Sequence, residues 1–240
     1  MDFQKVRDHI SYSSVNKYLG CPKRWHYDYV IAPEKPKKSL ALELGTRYHN
    51  AVEKLYTTGE YEEGLKILKE FASESGRFAQ KDIKAVTECF KNYYLSVYPL
   101  YQSRVQSVEL TGKVDVSGIK VPLEYRMDLV TTDGTIIDHK TVGRMHPRID
   151  YSLQFDLYSY AYYKNYGVLP RTVEYHNAYK TTGGVEVVGK MPCISDMLKA
   201  IACVVGMVKS VEADIFMPKY SKACNYCPHR EMCNREFGSI

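Results

Sequence analysis

Asp128, Asp138 and Lys140 are the residues whose types and spacing point most directly to chemistry. Asp128 stands near the end of one run rich in β-branched residues, and Asp138-His139-Lys140 near the end of the next, so two carboxylates and an ammonium meet on adjoining strands. Mg2+ and Mn2+ take hard oxygen ligands and keep several waters, which two strand-borne aspartates can accommodate. A lysine beside such an ion can orient an attacking water or offset charge gathering on a phosphoryl oxygen, while the ion lowers the pKa of that water. This is the chemistry of hydrolysis. Taken alone, an Asp-x-Lys pair is more simply read as two residues sharing the solvent face of a strand.

A second set is formed by Cys21, standing alone, and by Cys224, Cys227 and Cys233, crowded into the last seventeen residues. A Cys-x-x-Cys followed after five residues by a third cysteine is a tight thiolate trio that needs a fourth ligand. Four cysteines suit a structural Zn2+ or a [4Fe-4S] cluster, and spacing does not separate the two. For zinc, His26 and His229 are alternatives to Cys21. Cys89 and Cys203 lie among apolar neighbours and read as buried small hydrophobes. Cys193 has no evident role.

The elements that must hold these groups follow from periodicity. Ser11 to Tyr29 reads as helix broken at Gly20 and Pro22, which places Cys21 at a helix junction. The stretch from 31 to 40 reads as a flexible basic loop. Leu40 to Thr57, carrying His49, and Tyr61 to Tyr98 repeat apolar residues every three or four positions, predicting a helix-rich first third. Three strands are predicted at Arg104 to Leu110, Lys113 to Ile119 and Val121 to Val130. Asp133-Gly134 is a strong hairpin signal leading into a strand at Thr135 to Lys140. A helix over Tyr151 to Tyr166, a hairpin of Arg171 to Lys180 with Gly184 to Lys190, and a helix over Ile194 to Val211 complete the pattern.

The 240 residues, 45% hydrophobic and 25% charged, suit one well-cored α/β domain. No stretch reaches the apolar length of a membrane span, and MDFQKVRDHISYSS has no apolar signal region, so a cytoplasmic protein is expected. In that reducing setting clustered cysteines hold metal in preference to forming disulfides. The net charge of +5 is compatible with a polyanionic partner and decides nothing alone.

With these residues in view, the chain resembles the RecB-like branch of the PD-(D/E)xK nuclease superfamily, close to the iron-sulfur exonucleases of CRISPR adaptation and the AddB-type recombination nucleases. The resemblance is carried by SYSSVNKYLGCPKRWHYDYV, LGTRYHNAVEKLY, YRMDLV, IIDHKT, QFDLYSYAYY and CNYCPHREMC, in that order. It implies a restriction-endonuclease-like core, a mixed sheet flanked by helices, within residues 40–190. It also implies a helical N-terminal part and a cysteine-cluster subdomain of residues 11–30 and 212–240, the whole chain forming one nuclease domain. His49, Asp128 and Asp138 are implied as ligands of Mg2+ or Mn2+, with the peptide carbonyl of His139 adding a further one and Lys140 as the signature lysine. Gln154 and Tyr158, one helical turn apart, are implied to orient Lys140 or the scissile strand. Cys21, Cys224, Cys227 and Cys233 are implied to hold a [4Fe-4S] cluster, with structural Zn2+ as the alternative.

The expected activity is that of a single-strand-preferring DNA exonuclease, with endonuclease action possible, working in recombination, repair or spacer processing beside proteins of those systems. The alternative is a catalytically silent DNA-binding or adaptor subunit of the same fold. Tyr158, Arg144 and Arg148, with His146 and the Lys35 to Lys38 loop, are the expected DNA contacts. Two features depart from the family pattern. Tyr125 stands where relatives carry glycine, which is expected to narrow the approach of the DNA backbone, and Asp138 replaces the commoner glutamate. Glu109, on the preceding strand, reads as an exposed strand residue in preference to a further ligand.

Overall fold

The computed structural model describes residues 8–31, 39–74, 80–143 and 149–238. In chain order these form β1 (Ile10–Ser11), α1 (Tyr12–Gly20), α2 (Pro22–His26) with a π-helical continuation (Tyr27–Ile31), α3 (Leu40–Thr58), α4 (Tyr61–Glu74), α5 (Gln80–Ser96) and α6 (Tyr98–Tyr101). They continue as β2 (Val105–Val114), β3 (Leu123–Thr131), β4 (Thr135–Val142), α7 (Leu153–Tyr166), β5 (Thr172–Tyr179), β6 (Gly184–Lys190), α8 (Ile194–Glu212) and α9 (Arg230–Phe237). Two compact units result, one of Met1–Pro36, Lys113–Glu124 and Ser195–Ile240, the other of Lys37–Gly112 and Tyr125–Ile194.

The second unit is a mixed sheet flanked by helices. β3 and β4 are antiparallel with Leu129 opposite Ile137, β4 and β5 are parallel from Thr135 beside Thr172 to Val142 beside Tyr179, β5 and β6 are antiparallel, and β2 pairs with β3. The β3–β4 turn follows from Asp133-Gly134: Gly134 takes φ +81° and donates its N–H to Thr131 O at 2.9 Å, while Asp133 Oδ1 accepts the hydroxyls of Thr131 and Thr135. β4 is buried continuously from Thr135 to His139, as befits a central strand covered on both faces.

One face meets α3, α4, α5 and α6. Leu129, Ile137 and Ala178 from three strands pack there with Tyr48, Val52, Leu55, Leu68, Phe90 and Tyr93. Each Leu, Ile, Val or Phe among them contributes about 1.5–3 kcal/mol on burial. α3 is bounded by its sequence: the Ser39 side chain accepts the Leu42 N–H at 3.3 Å, and Gly59, φ +76°, closes the other end with its N–H on Leu55 O at 2.8 Å. α7 is buried around most of its circumference, with the Phe155 ring 4.4 Å from that of Tyr175 on β5. Ser152 caps it at the start and Gly167, φ +75°, at the end.

The first unit is assembled from segments far apart in sequence. Ile10–Ser11 pairs in parallel with Leu123–Glu124. Trp25 is fully buried, donates its indole N–H to Ser14 Oγ at 3.0 Å and stacks on Phe216 at 6.1 Å. Asp28 receives Lys17 at 2.7 Å and His229 Nε2 at 2.5 Å, and Glu236 receives Lys23 and the Tyr27 hydroxyl.

Two expectations about elements need correction. The predicted strand Lys113 to Ile119 does not form: β2 runs on to Val114, and the chain then turns through Gly118 at φ +86°. The long helix from Tyr61 to Tyr98 is instead α4 and α5, whose apolar stripes have the same period and so look continuous. The two-residue β1 and the π-helical turn carry no signal in a periodicity reading. The basic loop Lys35 to Lys38 lies outside the described residues.

Candidate active site

The second unit gathers His49, Asp128, Asp138 and Lys140. His49, midway along α3, directs Nδ1 to Asp128 Oδ2 at 3.2 Å. The same oxygen accepts the backbone N–H of His139 at 2.8 Å, so an aspartate of β3 is tied to the main chain of β4 next to it. Burial pushes the Asp128 carboxyl up, but hydrogen bonds from His139 and His49 outweigh it and hold the group well below the usual carboxylate range. For His49 burial favours the neutral ring, and the Asp128 hydrogen bond and charge overturn this to raise its pKa.

Asp138 is 2% exposed and its two oxygens have separate partners. Gln154 Nε2 donates to Oδ1, and Lys140 Nζ lies 2.6 Å from Oδ2, off the line of a hydrogen bond. The Gln154 amide also donates to Tyr158 Oη at 3.1 Å. Spaced four residues apart on α7, these two side chains share one face, and Tyr158, 7% exposed, steadies Gln154 from within. Burial, then the charge of Asp128, pushes Asp138 up to about 6 against the relief given by Lys140.

A pH dependence follows. The folded chain binds the Asp138 proton more tightly than the unfolded chain, whose value is 3.8, so the Asp138 contribution to the stability of the metal-free protein is lost as pH rises from about 4 to about 6, while buried His139, pushed down to about 4, contributes with the opposite sign. The loss is on the order of 2–3 kcal/mol. Asp138→Asn carries no such loss: in chelator its melting temperature exceeds that of the wild type at pH 7 by about 5–10 °C, and the two converge at pH 4. Thermal denaturation across that range is the check.

Glu109 corrects the sequence reading. It is no exposed strand residue: its side chain is 17% exposed, and a positive φ of +51° turns it out of the strand alternation toward the site. His49, Glu109 and Asp128 each offer a ligand atom within 4.8 Å of the other two. An imidazole with two carboxylates fits a Mn2+ or Mg2+ ion by donor type, while Asp138, paired with Lys140, falls outside this group of three. Arg126 pairs with Glu109 and balances its charge. The signal that hid Glu109 was alternation itself, which a positive φ interrupts without any glycine to announce it.

Tyr125 does not stand in the approach to the site. It is 7% exposed, its hydroxyl accepts Asn165 Nδ2 at 2.7 Å, and a Cβ on Gly112 of β2 would come within 2.3 Å of that hydroxyl and 2.6 Å of the ring. The missing side chain has moved to the neighbouring strand. Arg144, His146 and Arg148 lie outside the described residues.

In the first unit, Cys21, Cys224, Cys227 and Cys233 are all half-buried and line one cavity of about 510 Å³. Cys21 Sγ accepts the Lys219 N–H at 3.4 Å, and Cys224 Sγ lies 3.8 Å from Lys219 O. Burial and the nearness of Cys21, Cys227 and Cys224 push the Cys233 thiol up. Lys23, Arg24, Lys219, Lys222 and Arg230 also line the cavity, and among the described residues no acidic side chain does. Neither His26 nor His229 lines it: His26 stacks on Phe216 at 4.1 Å, and His229 is taken by Asp28. Cys89 is buried in the helical core as expected.

No curated protein matches the sequence. Among solved structures, a protein from Eubacterium rectale described as "Putative exonuclease" aligns over 94% of this chain and 89% of its own, with a TM-score of 0.66 and 15% identity, a likeness of fold. The structure of SSO0001 aligns over 92% of both chains at 12% identity, with a TM-score of 0.40 that carries no argument. The model of one family, the PD-(D/E)XK nuclease superfamily, matches residues 9–234. With a mixed sheet flanked by helices and an Asp-x-Lys on its central strand, the chain belongs to that nuclease superfamily.

Proposed function

We propose that this nuclease hydrolyses DNA phosphodiesters with Mg2+ or Mn2+, acting as an exonuclease on single-stranded ends in recombination, repair or spacer processing in the cytoplasm. The observation that carries the reading is the convergence of His49, Glu109 and Asp128 beside the Asp138–Lys140 pair. His49, Glu109, Asp128 and Asp138, with the carbonyl of His139, would hold the ion, which when bound supplies Lewis acidity and a lowered pKa for water. Asp128 is kept ionised by His49 and the His139 N–H, ready to meet a cation. Gln154 and Tyr158 fix the Asp138 carboxylate. Lys140 brings an ammonium to the place where charge gathers on the phosphoryl oxygens.

The preference for single strands rests on the first unit. Tyr220, 90% exposed, and Tyr226, 89% exposed, flank Lys222 near Lys219, and exposed aromatic rings among cations stack bases of any sequence. The four cysteines of that unit would hold a [4Fe-4S] cluster in a subdomain of their own. Zn2+ and a [4Fe-4S] cluster both take four thiolates, and the cavity that the four cysteines line is compatible with either. Iron and zinc analysis of anaerobically purified protein separates the two groups.

Digestion of end-labelled single- and double-stranded DNA with Mn2+ tests the activity, with Lys140→Ala as control. Stepwise release from single-stranded ends is the expected result. Inactivity of the wild type on every substrate would overturn it in favour of a silent DNA-binding subunit.

A further inference from the structure

Behind the site lies a buried polar chain that the cleavage chemistry does not call upon. Tyr93 of α5 is fully buried, and its hydroxyl oxygen lies 3.0 Å from His139 Nε2, 2.8 Å from His176 Nδ1 and 2.9 Å from Tyr56 Oη. His176, also fully buried, places Nε2 3.3 Å from Glu174 Oε2. Glu174 further accepts the hydroxyls of Tyr101 at 2.7 Å and Thr172 at 3.4 Å. In the parallel pairing of β4 and β5, His139 and His176 stand side by side.

A count of protons assigns the direction of every bond. Glu174 can only accept, so His176 carries its proton on Nε2 and presents Nδ1 as an acceptor. The single O–H of Tyr93 goes to that nitrogen. The Tyr93 oxygen then accepts from Tyr56 O–H and from His139 Nε2–H. Each member has one arrangement, and the ring of His139 is held from behind. Its backbone N–H is the group that grips Asp128 Oδ2 at 2.8 Å. An all-apolar filling of this space would cost less desolvation, so the polar chain makes sense as a device that fixes a position.

We infer that Tyr93, His176 and Glu174 are positioning residues for the metal site, acting through His139 to fix the Asp128 carboxylate. The inference rests on Asp128 being a ligand. Hydrogen-bonded groups behind metal ligands are commonly worth 10–100-fold in affinity.

The test is Mn2+ binding to the full chain by titration calorimetry and electron paramagnetic resonance, on wild type, Tyr93→Phe, Glu174→Gln, Tyr56→Phe and Asp128→Ala. Tyr93→Phe keeps the ring and its packing, weakens Mn2+ about tenfold, and shows a cleavage deficit that shrinks as Mn2+ is raised. Glu174→Gln weakens binding about threefold, and Tyr56→Phe, which leaves Tyr93 both histidines, stays within about twofold. If Asp128→Ala loses Mn2+ while Tyr93→Phe binds like wild type, the positioning role is overturned and the ligand assignment stands. If Asp128→Ala itself binds like wild type, the ligand assignment fails and the inference with it. Should Tyr93→Phe not fold, Glu174→Gln decides by the same criterion.

Discussion

Asp128→Ala lowers DNA cleavage by a factor on the order of 1,000 or more, removes most Mn2+ affinity, and leaves the chain folded. Three groups lose their common partner at once. His49 Nδ1 and the His139 N–H both point at Asp128 Oδ2, and Glu109 shares its ligand set with the same carboxylate. The fold survives because Asp128 contributes little apolar area, whereas its neighbours Met127 and Leu129 are fully buried. Cleavage of labelled single-stranded DNA over a range of Mn2+, with circular dichroism beside it, provides the measurement. Residual cleavage within about tenfold of wild type would place the essential carboxylates elsewhere.

Cys227→Ser, on the reading that four cysteines share one cluster, bleaches the visible absorbance of anaerobically purified protein and lowers its melting temperature by roughly 10 °C or more. The size follows from what the group would join. Cys21 comes from the α1–α2 junction and the other three from the far end of the sequence, so a bound cluster would cross-link a loop of about two hundred residues. Apart from the cysteines, that junction is held by part-buried polar contacts such as Lys23 and Tyr27 on Glu236 and His229 on Asp28, and by Trp25 on Phe216. Iron content and differential scanning calorimetry report the two effects. Unchanged iron would remove Cys227 from the set.

The strongly patterned parts of this fold are legible in the sequence. Asp133-Gly134, the strand carrying Asp138-x-Lys140 and the helix bearing His49 depend on local sequence, whereas Gln154 and Tyr158 follow from the family resemblance. What stayed hidden depends on distant partners. Tyr93 sits among apolar positions of α5 and reads as core, because its hydrogen bonds run to residues 46 and 83 positions away. Glu174 and His176 alternate along β5 as any half-buried strand would. Tyr125 looked like an obstruction because the glycine that makes room for it belongs to another strand. The split between α4 and α5 was invisible for a related reason: two stripes of one period show no seam.

The ion pair between Lys23 and Glu236 closes over 213 positions, and the Asp28–His229 contact over 201. Such contacts set an order of events during synthesis. Most of the sheet and helices that carry His49, Asp128 and Lys140 are made by residues 37–194, and they can pack while the ribosome is still extending the chain. The segment that bears Trp25 must wait for Phe216, leaving that face of the indole in water until residue 216 has been made. For that interval the early segment is the exposed part of the nascent protein, and chaperone binding or premature proteolysis would fall there.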